Sequence, residues 1–238
     1  MERIDDLQFK KLKIIQDTDG FRFGIDSVLL TEFARDIKKN SKLVDLGTGT
    51  GIISILLSKK VFPSEIVAVE KQKEVADMAK RSVELNGLAK LISIENCDIK
   101  DLKLNKNYYD VVVTNPPYKK LGTGINAKNE KQQISRFETT ANLDDWIKCA
   151  SNLLNSKGLF YMVYRTDRLT ELFSILKKYN LEIKRIRFVH SKIEEQSKMV
   201  LIKAVKGGGE FIKIEKPLFI YNEDGTYTDE IMNIYKEK

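Results

Sequence analysis

The sequence predicts an α/β fold: a mostly parallel sheet of seven strands, helices on both faces and an antiparallel hairpin at one edge. Three observations predict it. From Lys42 onward, short β-branched runs alternate with longer amphipathic stretches. A dense glycine cluster, Gly47, Gly49 and Gly51, stands at the first strand-to-helix junction. Only residues 191–198 separate the last two apolar runs, too few for a packed crossover helix, so those runs pair as a hairpin.

Each element follows in order. Residues 43–46 form a buried strand that stops at the glycines, and 52–58 continue as an apolar helix. Residues 66–69 form the second strand. Over 72–86, Val75, Met78, Ala79 and Val83 recur at helical spacing, and Asn86-Gly87 supplies the stop. Residues 91–94 form the third strand, and 109–114 the fourth, closed by Asn115-Pro116-Pro117. A helix over 143–155 puts Trp146, Ile147, Ala150, Leu153 and Leu154 on one face. Residues 159–164 are the fifth strand, 169–179 a helix, and 183–189 with 199–205 the final pair.

Three segments fall outside this alternation. Residues 11–30 hold a short strand, a turn at 17–20 and then 21–30. Residues 119–141 are polar, contain Gly122 and Gly124, and have no clear period; such a stretch in a compact domain is functional or disordered. Residues 207–238 open on three glycines, continue through Phe211, Ile212 and Ile214, and end in a short helix. With no low-complexity linker and no repeat, one domain over 1–238 is expected, with a lead-in (1–30) and a C-terminal extension (207–238).

Composition narrows the chemistry. The chain has 238 residues, with 41 Lys+Arg against 34 Asp+Glu, a net charge of +7. The basic excess suggests a polyanionic partner such as nucleic acid. One histidine, His190, and two distant cysteines, Cys97 and Cys149, leave no His₃, Cys₄ or Cys₂His₂ metal site. A Ser-His-Asp triad would have to converge on His190. Disulfide scaffolding is excluded, and the thiols fit a reducing compartment. No apolar run approaches the roughly 18–20 residues of a membrane span. Residues 1–13 lack an apolar signal core, so a cytoplasmic, metal-free protein with no membrane contact is expected.

The strongest motif is Asp45-Leu46-Gly47-Thr48-Gly49-Thr50-Gly51, between a strand and a helix. Its glycines permit a tight turn and close approach of a ligand to the backbone. The spacing is G-x-G-x-G rather than the dinucleotide G-x-G-x-x-G, and no Gly-Lys-Ser/Thr follows for a P-loop. Asp45 at the strand end would repel a pyrophosphate and suit a cation. S-adenosylmethionine carries a sulfonium and an ammonium, and the charge logic favours it. Glu70 ends the second strand, where a carboxylate can accept both ribose hydroxyls; the alternative is a solvated strand-end charge. Asp98, after the third strand, can meet the adenine amine or simply cap a turn.

Asn115-Pro116-Pro117-Tyr118 follows the fourth strand. Two prolines stiffen it, and Asn115 before proline is pushed out of the helical region. The Asn115 side-chain carbonyl and the Pro116 main-chain carbonyl can face one NH₂ group. Two such acceptors favour a pyramidal nitrogen whose lone pair points at a methyl group. Tyr118 offers a ring for an unstacked base. The bland alternative is a Pro-Pro turn with an exposed tyrosine.

With both motifs present, the chain resembles the Rossmann-like class I amino-methyltransferases that use S-adenosylmethionine. Its ends narrow the resemblance. Residues 12–16 and Phe21-Arg22-Phe23-Gly24-Ile25-Asp26-Ser27-Val28-Leu29-Leu30 resemble the opening of the bacterial family that N6-methylates adenine-37 of valine tRNA. Arg136-Phe137-Glu138, Pro217-Leu218, Ile220-Tyr221, Gly225-Thr226-Tyr227-Thr228 and Ile234-Tyr235 resemble its later segments. The resemblance implies that Asp45, Gly47, Gly49, Gly51 and Asn115 line the cofactor, Glu70 holds its ribose and Asp98 its adenine. It implies that Phe23, Gly24, Asp26 and Ser27 cover the methionine end, and that Asn115, Pro116, Pro117 and Tyr118 form the catalytic shelf for the adenine. No metal is implied, the partner is tRNA, and a monomer is expected.

Phosphate contacts are expected from Lys119, Lys120, Lys128, Lys131 and Arg136, with a second patch at Lys184, Arg185, Arg187, Lys192, Lys203 and Lys206. The 119–141 segment is expected to order around a flipped base. Rival acceptors for the same chemistry are a guanine N2 of ribosomal RNA and a release-factor glutamine amide. A non-catalytic RNA-binding protein is the rival from another class.

Overall fold

The computed structural model describes residues 1–17, 24–118 and 141–236. Eleven strands are present among them: β1 (Glu2–Asp6), β2 (Lys13–Asp17), β3 (Lys42–Leu46), β4 (Glu65–Glu70), β5 (Ile92–Asn96), β6 (Tyr109–Thr114), β7 (Leu154–Arg165), β8 (Leu181–His190), β9 (Met199–Lys206), β10 (Lys213–Ile214) and β11 (Leu218–Phe219). The α-helices are α1 (Ile25–Phe33), α2 (Ile52–Lys60), α3 (Lys73–Leu85), α4 (Leu143–Leu153), α5 (Leu169–Lys178) and α6 (Asp229–Lys236).

The main sheet runs β10-β8-β9-β7-β6-β3-β4-β5, with β11 also on β8. Strands β5, β4, β3, β6 and β7 are parallel. Strand β9 is antiparallel to both β7 and β8. The expected seven strands form the body of the sheet, and two short strands of the C-terminal extension lengthen it along β8. The expected hairpin is present, but its second strand lies inside the sheet, between β7 and β8. From β3 the chain proceeds outward through β4 and β5, then returns to place β6 on the other side of β3. That reversal opens a crevice at the carboxyl ends of β3 and β6, where ligands bind in such sheets.

Apolar residues on both faces of the strands explain their near-continuous hydrophobic runs. Along β6, Val111 and Val113 join the core beneath α1 and α2, with Leu29, Leu30, Ile53 and Ile55. Val112, one residue out of phase, joins the opposite core with Trp146, Ile147 and Leu172. Helix α4 starts at a capping box, in which Asn142 and Asp145 exchange side-chain-to-backbone bonds of 3.0 Å. Helix α3 ends at Asn86, followed by Gly87 at φ +66°.

The N-terminal lead-in holds one more strand than expected: β1 pairs antiparallel with β2 as a separate hairpin. It docks on α3. Lys13 and Asn86 exchange two bonds of 2.9 and 2.7 Å, and the Ile15 amide donates to Ser82 Oγ at 2.9 Å. Arg81 closes the contact with a bidentate pair to Glu2, at 2.6 and 2.7 Å. Among the described residues, no helix is long and apolar enough to cross a membrane.

Candidate active site at the β3–β6 crevice

Loop 47–51 is folded against the end of β4, with the Gly47 and Thr48 amides both donating to the Val69 carbonyl at 2.9 Å. Gly47, Gly49 and Gly51 have φ of +71°, +59° and +93°, a region that favours glycine. At Gly47 space is also limiting: a Cβ there would lie 2.7 Å from the Trp146 ring.

Asp45 is completely buried beneath this loop. Its Oδ2 accepts from Thr48 Oγ1 at 2.6 Å and Ser54 Oγ at 2.8 Å, so the carboxylate ties the loop to the first turn of α2. Burial pushes its pKa up to about 6, opposed by the Thr48 and Ser54 bonds and assisted by the nearby Glu70 charge. Glu70 is also buried, and its pKa is raised, first by burial. Its Oε2 accepts from the Gly49 amide at 3.1 Å and its Oε1 from the Gln72 amide at 2.9 Å. The Lys71 amide and the Gln72 side chain also donate to this carboxylate. Asp98 caps its own turn, accepting from the Lys100 amide at 3.0 Å, and pairs with Lys71 at 3.0 Å.

These groups fit a cationic cofactor. Among the described residues, neither Asp45 nor Glu70 has a lysine or arginine partner, so two buried carboxylates flank the loop without counter-charge. Three buried polar atoms without hydrogen-bond partners also belong to the loop or its packing: Asp45 Oδ1, Thr50 Oγ1 and Trp146 Nε1. Such atoms are rare in folded proteins and concentrate at functional sites.

The tetrapeptide begins beside the loop. Leu46 and Thr114 are register partners, and Thr114 Oγ1 donates to the Leu46 carbonyl at 2.8 Å. Asn115 therefore leaves the sheet one strand spacing, about 4.8 Å, from Gly47. Its Nδ2 donates to Asp26 Oδ2 at 3.0 Å and Ser27 Oγ at 3.1 Å, both in the first turn of α1. The Tyr118 hydroxyl lies between Asn115 Oδ1 and Asp26 Oδ2, 3.0 Å from the latter. Burial and the Asp26 charge push the Tyr118 hydroxyl pKa well up, keeping it a donor. The ring stands edge-on to Tyr164, with centroids 5.9 Å apart.

The crevice thus brings together Asp45, Gly47, Gly49, Gly51 and Glu70 on one side, and Gly24, Asp26, Ser27, Asn115, Pro116, Pro117 and Tyr118 on the other. Phe23 lies outside the described residues, as do Lys119, Lys120, Lys128, Lys131, Arg136 and the segment 119–140. Sequence reasoning missed three contributors. Thr48 and Ser54 hold Asp45. Arg168 donates to the Tyr118 carbonyl at 3.2 Å and stands 5.3 Å over the Tyr164 ring. A hydroxyl at 54, nine residues beyond Asp45, was a readable signal; Arg168 carried none.

The second basic patch is otherwise engaged. Lys184 donates to the Gly209 and Glu210 carbonyls at 2.6 Å, and Arg187 pairs with Glu230 at 2.7 Å. Arg185 and Lys203 converge on Asp36, and Lys192 donates to the Glu223 carbonyl at 3.0 Å. Lys206 reaches Asn107 Oδ1 and the Ser151 and Leu154 carbonyls at 2.8, 2.6 and 2.8 Å. These side chains fasten the C-terminal extension and neighbouring loops to the sheet. His190, on β8, contacts the Glu195 carbonyl at 2.8 Å and the Phe219 ring. Among the described residues, no group of three or more His, Cys, Asp or Glu is placed to hold a metal ion.

A sequence-family model described as "Methyltransferase domain" matches residues 37–237. The tRNA1(Val) (adenine(37)-N6)-methyltransferase of Haemophilus influenzae (strain 86-028NP) is 27% identical over 237 residues, covering 96% of each chain. The protein of the same name from Histophilus somni (strain 129Pt) is 31% identical over 166 residues, covering 68% of this chain and 69% of the relative. Among solved structures, M. jannaschii TYW2 in complex with AdoMet is similar with a TM-score of 0.60 at 16% identity, covering 86% of this chain and 85% of that one. That likeness is one of fold.

Proposed function

The chain belongs to the bacterial tRNA1(Val) (adenine(37)-N6)-methyltransferase family, and we propose that its β3–β6 crevice methylates N6 of adenine 37 in the anticodon loop of that tRNA. The protein is an S-adenosylmethionine-dependent tRNA adenine N6-methyltransferase of the Rossmann-like class I fold. We further place it in the cytoplasm, as a monomer whose single domain spans 1–238.

The observation that carries the site assignment is the Leu46–Thr114 register, which delivers the glycine loop and the tetrapeptide to one crevice. In this reading Gly47, Gly49 and Gly51 let the cofactor approach the backbone, Asp45 and Glu70 supply negative potential, and Glu70 also accepts from the ribose. Asp98 receives the cofactor's adenine amine. When bound, S-adenosylmethionine supplies a methyl group activated by its sulfonium.

The acceptor amine is a poor nucleophile because its lone pair is delocalised into the purine. Asn115 Oδ1 and the Pro116 carbonyl accept its two hydrogens, which holds the nitrogen toward a pyramidal geometry with its lone pair on the methyl. Tyr118 stacks on the extruded base, worth about 1–3 kcal/mol. The amine needs no base beforehand, because its proton leaves for water after the nitrogen has become cationic. Positioning and fixed dipoles therefore carry the acceleration.

Incubation with labelled cofactor and bulk tRNA from a strain lacking the gene, followed by nucleoside analysis, tests this function. The expected product is N6-methyladenosine in valine tRNA. Label in N2-methylguanosine, or in a release-factor glutamine, would assign the crevice to another planar amine.

A further inference from the structure

We propose that Asp26 is the positioning residue that fixes which way the Asn115 amide faces. This rests on the reading of Asn115 Oδ1 as an acceptor for the target amine.

A carboxamide is nearly symmetric in shape and opposite in chemistry at its two ends. Turned one way, Asn115 offers the amine an acceptor. Turned the other way, it offers an NH₂ group, and donors face donors. Something must choose. Asp26 Oδ2 lies 3.0 Å from Asn115 Nδ2, and Ser27 Oγ lies 3.1 Å from the same atom. A flipped amide would set its oxygen against the Asp26 carboxylate, with no proton between them. The carboxylate therefore selects the productive orientation.

The chain builds this arrangement with care for its geometry. Asp26 sits in the first turn of α1, where the helix dipole favours a negative group. Its Oδ1 accepts from the Ser27 amide at 2.9 Å. A Cβ on residue 24 would come within 2.6 Å of that Oδ1, so glycine at 24 leaves the carboxylate room to fold back. Both Asp26 oxygens thus face donors of this chain, and Oδ2 is turned toward Asn115.

Tyr118 explains why a separate anchor is needed. Its hydroxyl occupies Asn115 Oδ1 and also reaches Asp26 Oδ2. To stack on a base, the ring must leave, and Oδ1 becomes available to the amine. The Nδ2 bonds to Asp26 and Ser27 do not involve Tyr118, so the amide keeps its orientation through the swing.

A reciprocal swap tests the proposal. Asp26→Asn can pair with either amide orientation, and Asn115→Asp sets two carboxylates together; each is expected to lower kcat by about 10- to 100-fold. Asp26→Asn should leave the S-adenosylmethionine dissociation constant, read by calorimetry, within about threefold. The double variant Asp26→Asn/Asn115→Asp restores one donor facing one acceptor and keeps an acceptor toward the amine. It should recover at least about tenfold in kcat over either single variant, a rescue that a general packing role would not give. A double variant no better than the singles, or an Asp26→Asn enzyme that loses cofactor binding in step with turnover, would overturn the proposal. If Asn115→Ala keeps full turnover, the underlying reading of Asn115 fails. If Asn115→Ala is inactive and Asp26→Asn is fully active, only the positioning role fails.

Discussion

The Tyr118 hydroxyl donates to the side-chain carbonyl of Asn115, the same atom that the proposed mechanism gives to the substrate amine. The chain's own phenol therefore stands against the atom the substrate amine would use. Tyr118→Phe removes this occupant and keeps the ring. Its kcat/KM for tRNA should equal or exceed that of the parent, while unfolding stability falls by about 1 kcal/mol for the lost hydrogen bonds. Tyr118→Ala also removes the stacking face and should lower kcat/KM by about 10- to 100-fold. Steady-state kinetics with tRNA, beside denaturant melts, read both effects; a Phe variant as impaired as the Ala variant would assign the hydroxyl a role in the reaction itself.

Asp45 gives the site a pH dependence with a definite sign. Its pKa in the fold, about 6, lies above the ordinary 3.8. The stability tied to its protonated form is complete below the ordinary value and is lost as pH rises through about 6. A shift of this size corresponds to roughly 3 kcal/mol. A cationic cofactor prefers the ionised form, so affinity should rise over the interval in which the ligand-free protein weakens. Asp45→Asn should flatten the affinity profile between about pH 5 and about pH 7, apart from a residual slope from Glu70. It should also stabilise the ligand-free protein at neutral pH. Calorimetric titrations across that interval decide it, and an unchanged slope would separate Asp45 from cofactor binding.

Gly47→Ala meets two obstacles, a φ of +71° and the Trp146 ring 2.7 Å from the new methyl group. A loss of about 1–3 kcal/mol is expected, with a change in Trp146 fluorescence. Trp146→Leu in the same chain should recover the steric part and leave the backbone strain. Thermal unfolding of the two variants and their combination measures the partition.

Lys206 separates structural from RNA-binding charge. Truncation to Met leaves the Ser151 and Leu154 carbonyls without their ammonium donor. The expected cost is about 1–3 kcal/mol of stability, with tRNA affinity and its salt dependence unchanged. A reduced salt slope, measured by filter binding, would return Lys206 to the RNA face.

Much of this fold was legible because β3, β4 and β6 are buried on both sides, and read as apolar runs that Asp45 interrupts in β3. Strand β1 was not: Glu-Arg-Ile-Asp-Asp has no hydrophobic period, and β2 and the Arg81–Glu2 pair give it its place. The start of β7 at Leu154 was hidden for a related reason, since a register irregularity beside Tyr109 precedes the regular pairing of 159–162. In the site, the glycine loop and tetrapeptide announce themselves by local composition. The Asp26–Asn115 bond joins residues 89 apart and depends on where α1 enters the sheet, which no local pattern encodes. The partners of the sheet-edge cations were hidden for the complementary reason. Alternation shows that Arg185 and Arg187 share a face, not that Asp36 and the C-terminal extension cover it.

The most direct test of the site is a paired measurement on Asn115→Ala. Calorimetry should give an S-adenosylmethionine affinity within about threefold of the parent, while methyl transfer to valine tRNA falls by at least about 100-fold, the scale of removing a fixed electrostatic partner. Retained turnover, or loss of cofactor binding in the same proportion as turnover, would contradict the carbonyl-shelf mechanism.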